Sequence, residues 1–204
     1  MPTLLLVRHG ETDWNRSGQI MGQHPVPLNE RGRRQASDLA LRLRDQPIGA
    51  LYSSPVARAI QTAEFLAASR ELVIREDPRL REIEVGDWAG RFWRDLDHEP
   101  VRRYWYARPN DARFPGGETL AEVQARAAAA MTDALFERDR ETVLVVTHGD
   151  VLRALVAHLL GLPLTAIHVF RFDHASLTRL ESSPGGPGQW TAACINLSEQ
   201  TSRH

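Results

Sequence analysis

Residues 4–15, LLLVRHGETDWN, hold the reading from which the rest of the chain follows. Leu4, Leu5, Leu6 and Val7 form an apolar run too short for a buried helix, and its length fits a strand covered on both faces. The run ends abruptly in Arg8, His9, Gly10 and Glu11. In open α/β sheets ligands collect outside the carboxyl ends of the strands, so a cation and an imidazole at this point are placed to meet a substrate. The same pattern returns late in the chain, where Val143, Leu144, Val145 and Val146 lead into Thr147, His148, Gly149 and Asp150. One histidine after a strand reads equally well as a core or capping residue. Two at matched strand ends point to a shared site, because titratable groups that converge in a cleft usually serve chemistry.

Outward from these two strands, helical and extended patterns alternate. Gly10 to Pro27 reads as a loop, and Leu28-Asn29-Glu30-Arg31-Gly32 leads into a helix whose Ala36, Leu39, Ala40 and Leu43 recur at helical spacing until Gln46-Pro47. Ile48 to Tyr52 reads as a second strand. Ser53-Ser54-Pro55 supplies an N-cap and a first-turn proline for a helix through Ala68, which puts Arg58 at the start of a helix directly after a strand. Leu72 to Ile74 suggests a third short strand, and the charged loop Asp77 to Gly86 follows, with Glu82 and Glu84 in it. From Asp87 to Pro115 tryptophans, tyrosines and arginines crowd together, and we read short helices and loops forming a lid over the strand ends. A long helix from about Leu120 to Arg138 carries the stripe Val123, Ala127, Met131 and Leu135. After the Val143 strand comes a helix from Val151 to Leu160. Phe170 to Leu180 and Trp190 to Leu197 then alternate like two strands around the turn SSPGGPG, before a frayed tail from Ser198 to His204. The fold class expected is therefore α/β: a three-layer sandwich with a mostly parallel central sheet, helices on both faces and a small lid insertion at about 88–115, all in one domain spanning 1–204.

Composition narrows the function. At 204 residues, with 42% hydrophobic and 25% charged content, the chain is an ordinary globular sequence. A net charge of −1 argues against a general nucleic-acid binder, so any anion site must be local. All 25 basic residues are arginine, which excludes lysine Schiff-base chemistry and a phosphate-loop lysine. Cys194 is the single cysteine, so neither an internal disulfide nor a thiolate zinc cluster can form, and a cytoplasmic location is expected. No signal peptide and no membrane-spanning segment is expected.

At the expected strand ends stand Arg8, His9, Arg58, Glu82 and His148. Arginine offers planar donor forks that suit phosphate oxygens, and a neutral imidazole can attack phosphorus. A metal held by His9 and His148 is the competing reading, but the adjacent guanidinium groups would repel a divalent cation. Trp14 reads as packing. Glu11, Asp13 and Asp150 read as caps or orienting groups, since acids beside an anionic substrate would repel it.

The segments RHGET with WN close behind, SSPVARAIQTAE, LREIEVGDWAGR, PGGET and VVTHGDVLRAL resemble the histidine phosphatase superfamily, in its phosphoglycerate-mutase-like branch, and the resemblance covers nearly the whole chain. It implies that His9 is the phosphorylated nucleophile, that Arg8 and Arg58 clamp the phosphate, that His148 is the second histidine of the phosphate pocket and that Glu82 is the proton donor, with Glu84 as its rival. It further implies substrate contacts at Asn15, Met21, Gly22 and Gly149, although some phosphatases carry Gln where Met21 stands. The implied activity is hydrolysis of small phosphorylated metabolites without metal or cofactor. The alternatives are a 2,3-bisphosphoglycerate-dependent phosphoglycerate mutase and, in another class, a non-catalytic phosphoester-binding module. The implied partners are a small phosphomonoester and a second copy of the chain in a homodimer, with neither nucleic acid nor membrane.

Overall fold

The structure is a computed structural model that describes residues 2–68, 70, 72–105, 107–137, 141–182 and 189–198. The expected glycine-proline turn, the end of the long helix at Arg138 and the tail beyond Ser198 lie outside the described residues. Among the described residues, six strands form one sheet: β1 (Thr3–Arg8), β2 (Ala50–Ser53), β3 (Ile74–Glu76), β4 (Thr142–Thr147), β5 (Leu177–Ser182) and β6 (Trp190–Leu197), in the spatial order β3-β2-β4-β1-β5-β6. The first four in that order are parallel, β5 runs antiparallel to β1, and β6 runs antiparallel to β5. The helices are α1 (Asp13–Ser17), α2 (Glu30–Leu43), α3 (Ala57–Ala68), α4 (Pro100–Tyr104), α5 (Leu120–Glu137) and α6 (Gly149–Leu159).

The apolar runs bury on both faces because successive strand residues point to opposite sides. Leu5, Val7, Leu51, Leu144 and Val146 pack with Leu39 and Leu43 of α2 and Ala59, Ala63 and Leu66 of α3. Leu4, Leu6, Val143 and Val145 face the opposite layer, with Val123, Ala127 and Met131 of α5, Leu152 and Leu155 of α6, and the aromatic residues of the insertion. This is the three-layer arrangement expected.

Register does the functional work. Arg8 pairs with Thr147, and Ser53 pairs with Val146, so β1, β4 and β2 end at one level. His9, His148 and Ser54 follow directly from those ends. The insertion consists of two 3-10 turns, Gly86–Trp88 and Trp93–Leu96, and the short α4. Its base is pinched where the Asp87 amide donates to the Pro115 carbonyl at 3.0 Å and the Glu118 amide to the Glu84 carbonyl at 2.8 Å. Gly86, at φ 50°, lies against residues 115 and 116 so closely that a side chain there would collide with backbone.

Several boundaries differ from the expectation. β3 lies two residues later than Leu72–Ile74, because its pairing runs from Leu51 opposite Ile74 to Ser53 opposite Glu76. α6 begins at Gly149, with His148 in the extended N-cap conformation. The largest difference is the expected strand from Phe170, of which only Leu177 onward is extended in the sheet. Residues 170–176 instead turn under the end of β1. The Ala175 amide donates to the His9 carbonyl at 3.2 Å, the Ser176 amide to the Asp173 carbonyl at 3.1 Å, and Ala175 sits in left-handed backbone at φ 52°. Local alternation cannot reveal a bend whose hydrogen bonds go to a strand more than 160 residues away. Among the described residues, no helix is long and apolar enough to cross a membrane.

Candidate active site

His9 is buried at the end of β1, and its ring is oriented from both sides. Nδ1 lies 2.7 Å from the Gly10 carbonyl, which can only accept, so Nδ1 carries the proton and Nε2 the lone pair. That lone pair faces Arg58, whose Nε donates to it at 3.2 Å. Burial holds the His9 pKa well below its usual value, and Arg58, His148 and Arg8 add to the shift, so the ring is neutral at neutral pH.

Arg58 is completely buried near the start of α3, with its other nitrogens spent on the chain entering from α1: Nη1 donates to the His24 carbonyl at 3.0 Å and Nη2 to the Gly22 carbonyl at 2.7 Å. Burial lowers its pKa to about 10, which leaves it cationic. Arg8 donates from Nη1 to the Phe172 carbonyl at 2.7 Å, while its buried Nε has no partner within the protein. The His148 ring lies 5.2 Å from that of His9 and contacts Ser54 Oγ through Nε2 at 2.8 Å. Ser54 Oγ also accepts from the Val56 amide at 3.3 Å, and the buried His148 Nδ1 is again without a partner within the protein.

Glu82 is the carboxylate at the base of the cleft. Its Oε1 accepts from the Ile83 amide at 3.0 Å, and its pKa is raised to about 7, first by burial and then by Asp150, with Arg58 opposing. The loop that carries it is gripped from α5. Arg126 donates to the carbonyls of Arg79 at 2.6 Å, Arg81 at 2.7 Å and Glu82 at 3.2 Å, and its Nε lies 2.9 Å from Glu118 Oε1. Glu84 instead turns its carboxylate to the Gly86 amide, at 3.1 Å, and is absent from the cleft lining.

The cleft holds about 390 Å³ and is lined at its base by Arg8, Arg58, Glu82, Asn15, Met21, Gly22 and Gly149. Asn15 closes a capping box with Thr12 at the start of α1, and Met21 Sδ accepts from Thr12 Oγ1 at 3.2 Å. Gly149 opens α6 and passes so near Arg8 that an added Cβ would stand 3.5 Å from its Nε. The backbone N–H groups of this helix start add positive potential to that of the arginines. The residues anticipated from sequence therefore come together, seven on the wall and the two histidines buried beside it. Trp14 stacks on His24 at 5.0 Å, Glu11 takes the Asn29 amide at 3.0 Å, and Asp150 pairs with Arg153 at 2.8 Å.

Three residues escaped the sequence reading. Ser54 was assigned only to a cap. Arg126 carries no local signal in the sequence that sets it apart from other polar positions of the long helix. His174 lies in the misread strand, its ring 6.0 Å from His9 and its buried Nε2 without a partner, its pKa lowered to about 3 chiefly by burial and then by Arg8. The only sequence signal for it was a histidine just ahead of β5. Arg8 Nε, His148 Nδ1 and His174 Nε2 are thus three buried nitrogens with no protein partner, and an oxyanion can satisfy the Arg8 donor, which always carries hydrogen. Among the described residues, no group of three or more His, Cys, Asp or Glu side chains is arranged to hold a metal ion.

Comparison with known proteins agrees with this geometry. The profile of the histidine phosphatase superfamily (branch 1) matches residues 4–196. A probable phosphoglycerate mutase GpmB from an Enterobacter species is 37% identical over 183 residues, covering 89% of this chain and 85% of that protein. Phosphoserine phosphatase 1 of Hydrogenobacter thermophilus is 35% identical over 179 residues, covering 86% and 84%. In three dimensions, a mycobacterial glucosyl-3-phosphoglycerate phosphatase solved with VO3 superposes with a TM-score of 0.87 at 33% identity, covering 96% of this chain and 99% of that one. The chain belongs to the histidine phosphatase superfamily and is an enzyme of phosphomonoester chemistry.

Proposed function

We propose that this enzyme is a phosphomonoesterase that works through a phosphohistidine on His9, without a metal. The observation that carries the reading is the His9 tautomer: a neutral ring with its lone pair on Nε2, facing the buried Arg58 guanidinium. In the first displacement Nε2 attacks phosphorus and the P–O bond to the alcohol breaks. Arg58 Nε turns from Nε2 to a phosphoryl oxygen, and Arg8 and His148 take the others, which stabilises the charge on the equatorial oxygens throughout. Glu82, protonated near neutral pH because its pKa is about 7, gives its proton to the departing alkoxide. In the second displacement Glu82 takes a proton from water, the water oxygen bonds to phosphorus, and the N–P bond breaks. Asn15, Gly22 and Gly149 border the phosphoryl group, and Met21 meets it through backbone.

The superfamily relatives named phosphoglycerate mutase favour a second reading, in which the phosphohistidine is passed to another hydroxyl instead of to water. One experiment separates the two: phosphate release from a panel of phosphomonoesters in excess chelator, paired with a mutase assay run with and without 2,3-bisphosphoglycerate. We expect phosphate release undiminished by chelator and its loss in His9→Ala. Activity restored only by a divalent ion, or phosphoglycerate interconversion outpacing release, would sink the proposal. The single cysteine fits a reducing cytoplasm as the enzyme's location.

A further inference from the structure

Above its charged base the cleft changes character. The outer wall is apolar, with Trp93 and Val101 presenting accessible surface on a backing of buried Val85, Trp88, Trp105 and Phe114. The aromatic rings brace one another, with Trp105 4.4 Å and Trp88 5.0 Å from Phe114 between centroids, so the surface is preformed. The charged residues of this outer part are Arg102, Asp150 and Arg153. Arg102 pairs with Asp97 at 2.8 Å, donates to the Trp93 carbonyl and lies 5.7 Å from the Trp93 ring. Arg153 pairs with Asp150 at 2.8 Å and donates to the Phe170 carbonyl at 3.2 Å. Each outer cation already faces a carboxylate.

A substrate carboxylate or second phosphate placed here would compete with an acid already in position, and would lose hydration against hydrocarbon. A flat uncharged body would instead displace water from the aromatic wall and gain in proportion to the area covered. We infer that the preferred substrates are phosphate monoesters of uncharged alcohols bearing a planar apolar body, recognised by the wall of Trp88, Trp93, Val101, Trp105 and Phe114. The inference rests on the phosphoryl site proposed above and specifies what that site is joined to.

Calorimetry on the intact wild-type enzyme with non-hydrolysable phosphonates tests it. The probes are 3-phenylpropylphosphonate, which mimics a phenylethyl ester, 2-hydroxy-4-phosphonobutanoate, which mimics 3-phosphoglycerate, and methylphosphonate as the bare head group. The phenyl probe should bind at least about tenfold tighter than the carboxylate probe. Trp93→Ala should remove most of that advantage and leave methylphosphonate unchanged. Asp97 is largely exposed, so Asp97→Asn frees Arg102 without touching the core and should tighten the carboxylate probe alone by about threefold. Equal or tighter binding of the carboxylate probe by wild type overturns the inference, as does a phenyl advantage that survives Trp93→Ala. A phenyl advantage that holds while the parent phenylethyl ester is not hydrolysed supports the inference and counts against the hydrolase reading alone.

Discussion

Glu82 lines the cleft and His9 is buried beside it, and desolvation shifts them in opposite senses, raising the carboxyl to about 7 and keeping the imidazole neutral. A general acid must hold its proton, so kcat/KM for alkyl phosphates should fall above about pH 7, and Glu82→Gln should erase that limb while slowing turnover by about 10² to 10⁴. With p-nitrophenyl phosphate the leaving group needs no proton. The variant should then release nitrophenolate in a burst near one equivalent and accumulate an acid-labile phosphoryl adduct, and both should vanish when His9→Ala is added. Quenched-flow mass measurement decides it; equal slowing of both substrates without an adduct would move the acid role elsewhere, with Asp150, the other carboxylate lining the cleft, first in line. Stability should respond as well. The folded pKa of about 7 exceeds the ordinary 4.5, so ionised Glu82 destabilises the fold increasingly from about pH 4.5 to 7, and the effect levels off above. Glu82→Gln should therefore gain stability over wild type above pH 7 and match it below pH 4.5, as thermal melts across pH would report.

At the scale of elements, Glu82 owes its position to α5. Arg126 satisfies carbonyls of three residues in the acid-bearing loop while paired with Glu118, so one side chain ties the helix, the loop and the base of the insertion together. Arg126→Met should leave phosphate binding nearly unchanged but lower kcat for alkyl phosphates by about 10- to 100-fold, the scale on which small misplacements act. The effect should be much smaller for p-nitrophenyl phosphate, and Arg126→Lys, which keeps the charge but loses the fork, should recover only part of the loss. A uniform fall for every substrate, with the pH limb of Glu82 unmoved, would assign Arg126 to stability alone. α6 contributes in a simpler way, since its first residue, Gly149, brings a helix N-terminus beside Arg8.

Over the whole molecule, the site is a junction of the sheet. Three parallel strands end at one level and supply His9, Ser54 and His148, and antiparallel β5 brings the loop that precedes it, with Phe172 and His174, to the same end of β1. An anion that satisfies buried donors on all these elements should stabilise the native state as a unit. Inorganic phosphate at about 100 times its Kd should add about 2.7 kcal/mol, which for a chain of this size raises Tm by roughly 5–10 °C. The shift should be the same with and without chelator, as differential scanning fluorimetry would read. A shift that required a divalent ion would contradict the metal-free mechanism.

The sequence by itself determined the parallel core and much of the site: short apolar runs ending in Arg8-His9 and Thr147-His148 are local signals, and so is Arg58 at the start of a helix that follows a strand. Their physical basis lies within a few neighbouring residues. Only the tertiary structure decided the rest. His174 enters the site through the antiparallel strand β5, whose approach bends residues 170–176 out of the extended form their alternation suggested. Arg126 acts on carbonyls 44 to 47 positions away. The motif already favoured Glu82 over Glu84; the structure adds that Glu82 lines the cleft while Glu84 turns back to Gly86, and the raised pKa of Glu82 depends on burial by elements distant in sequence. The aromatic residues of the insertion were evident as a cluster, but that Arg102 would spend its charge on Asp97 and leave an apolar wall beside the phosphoryl site is a matter of packing.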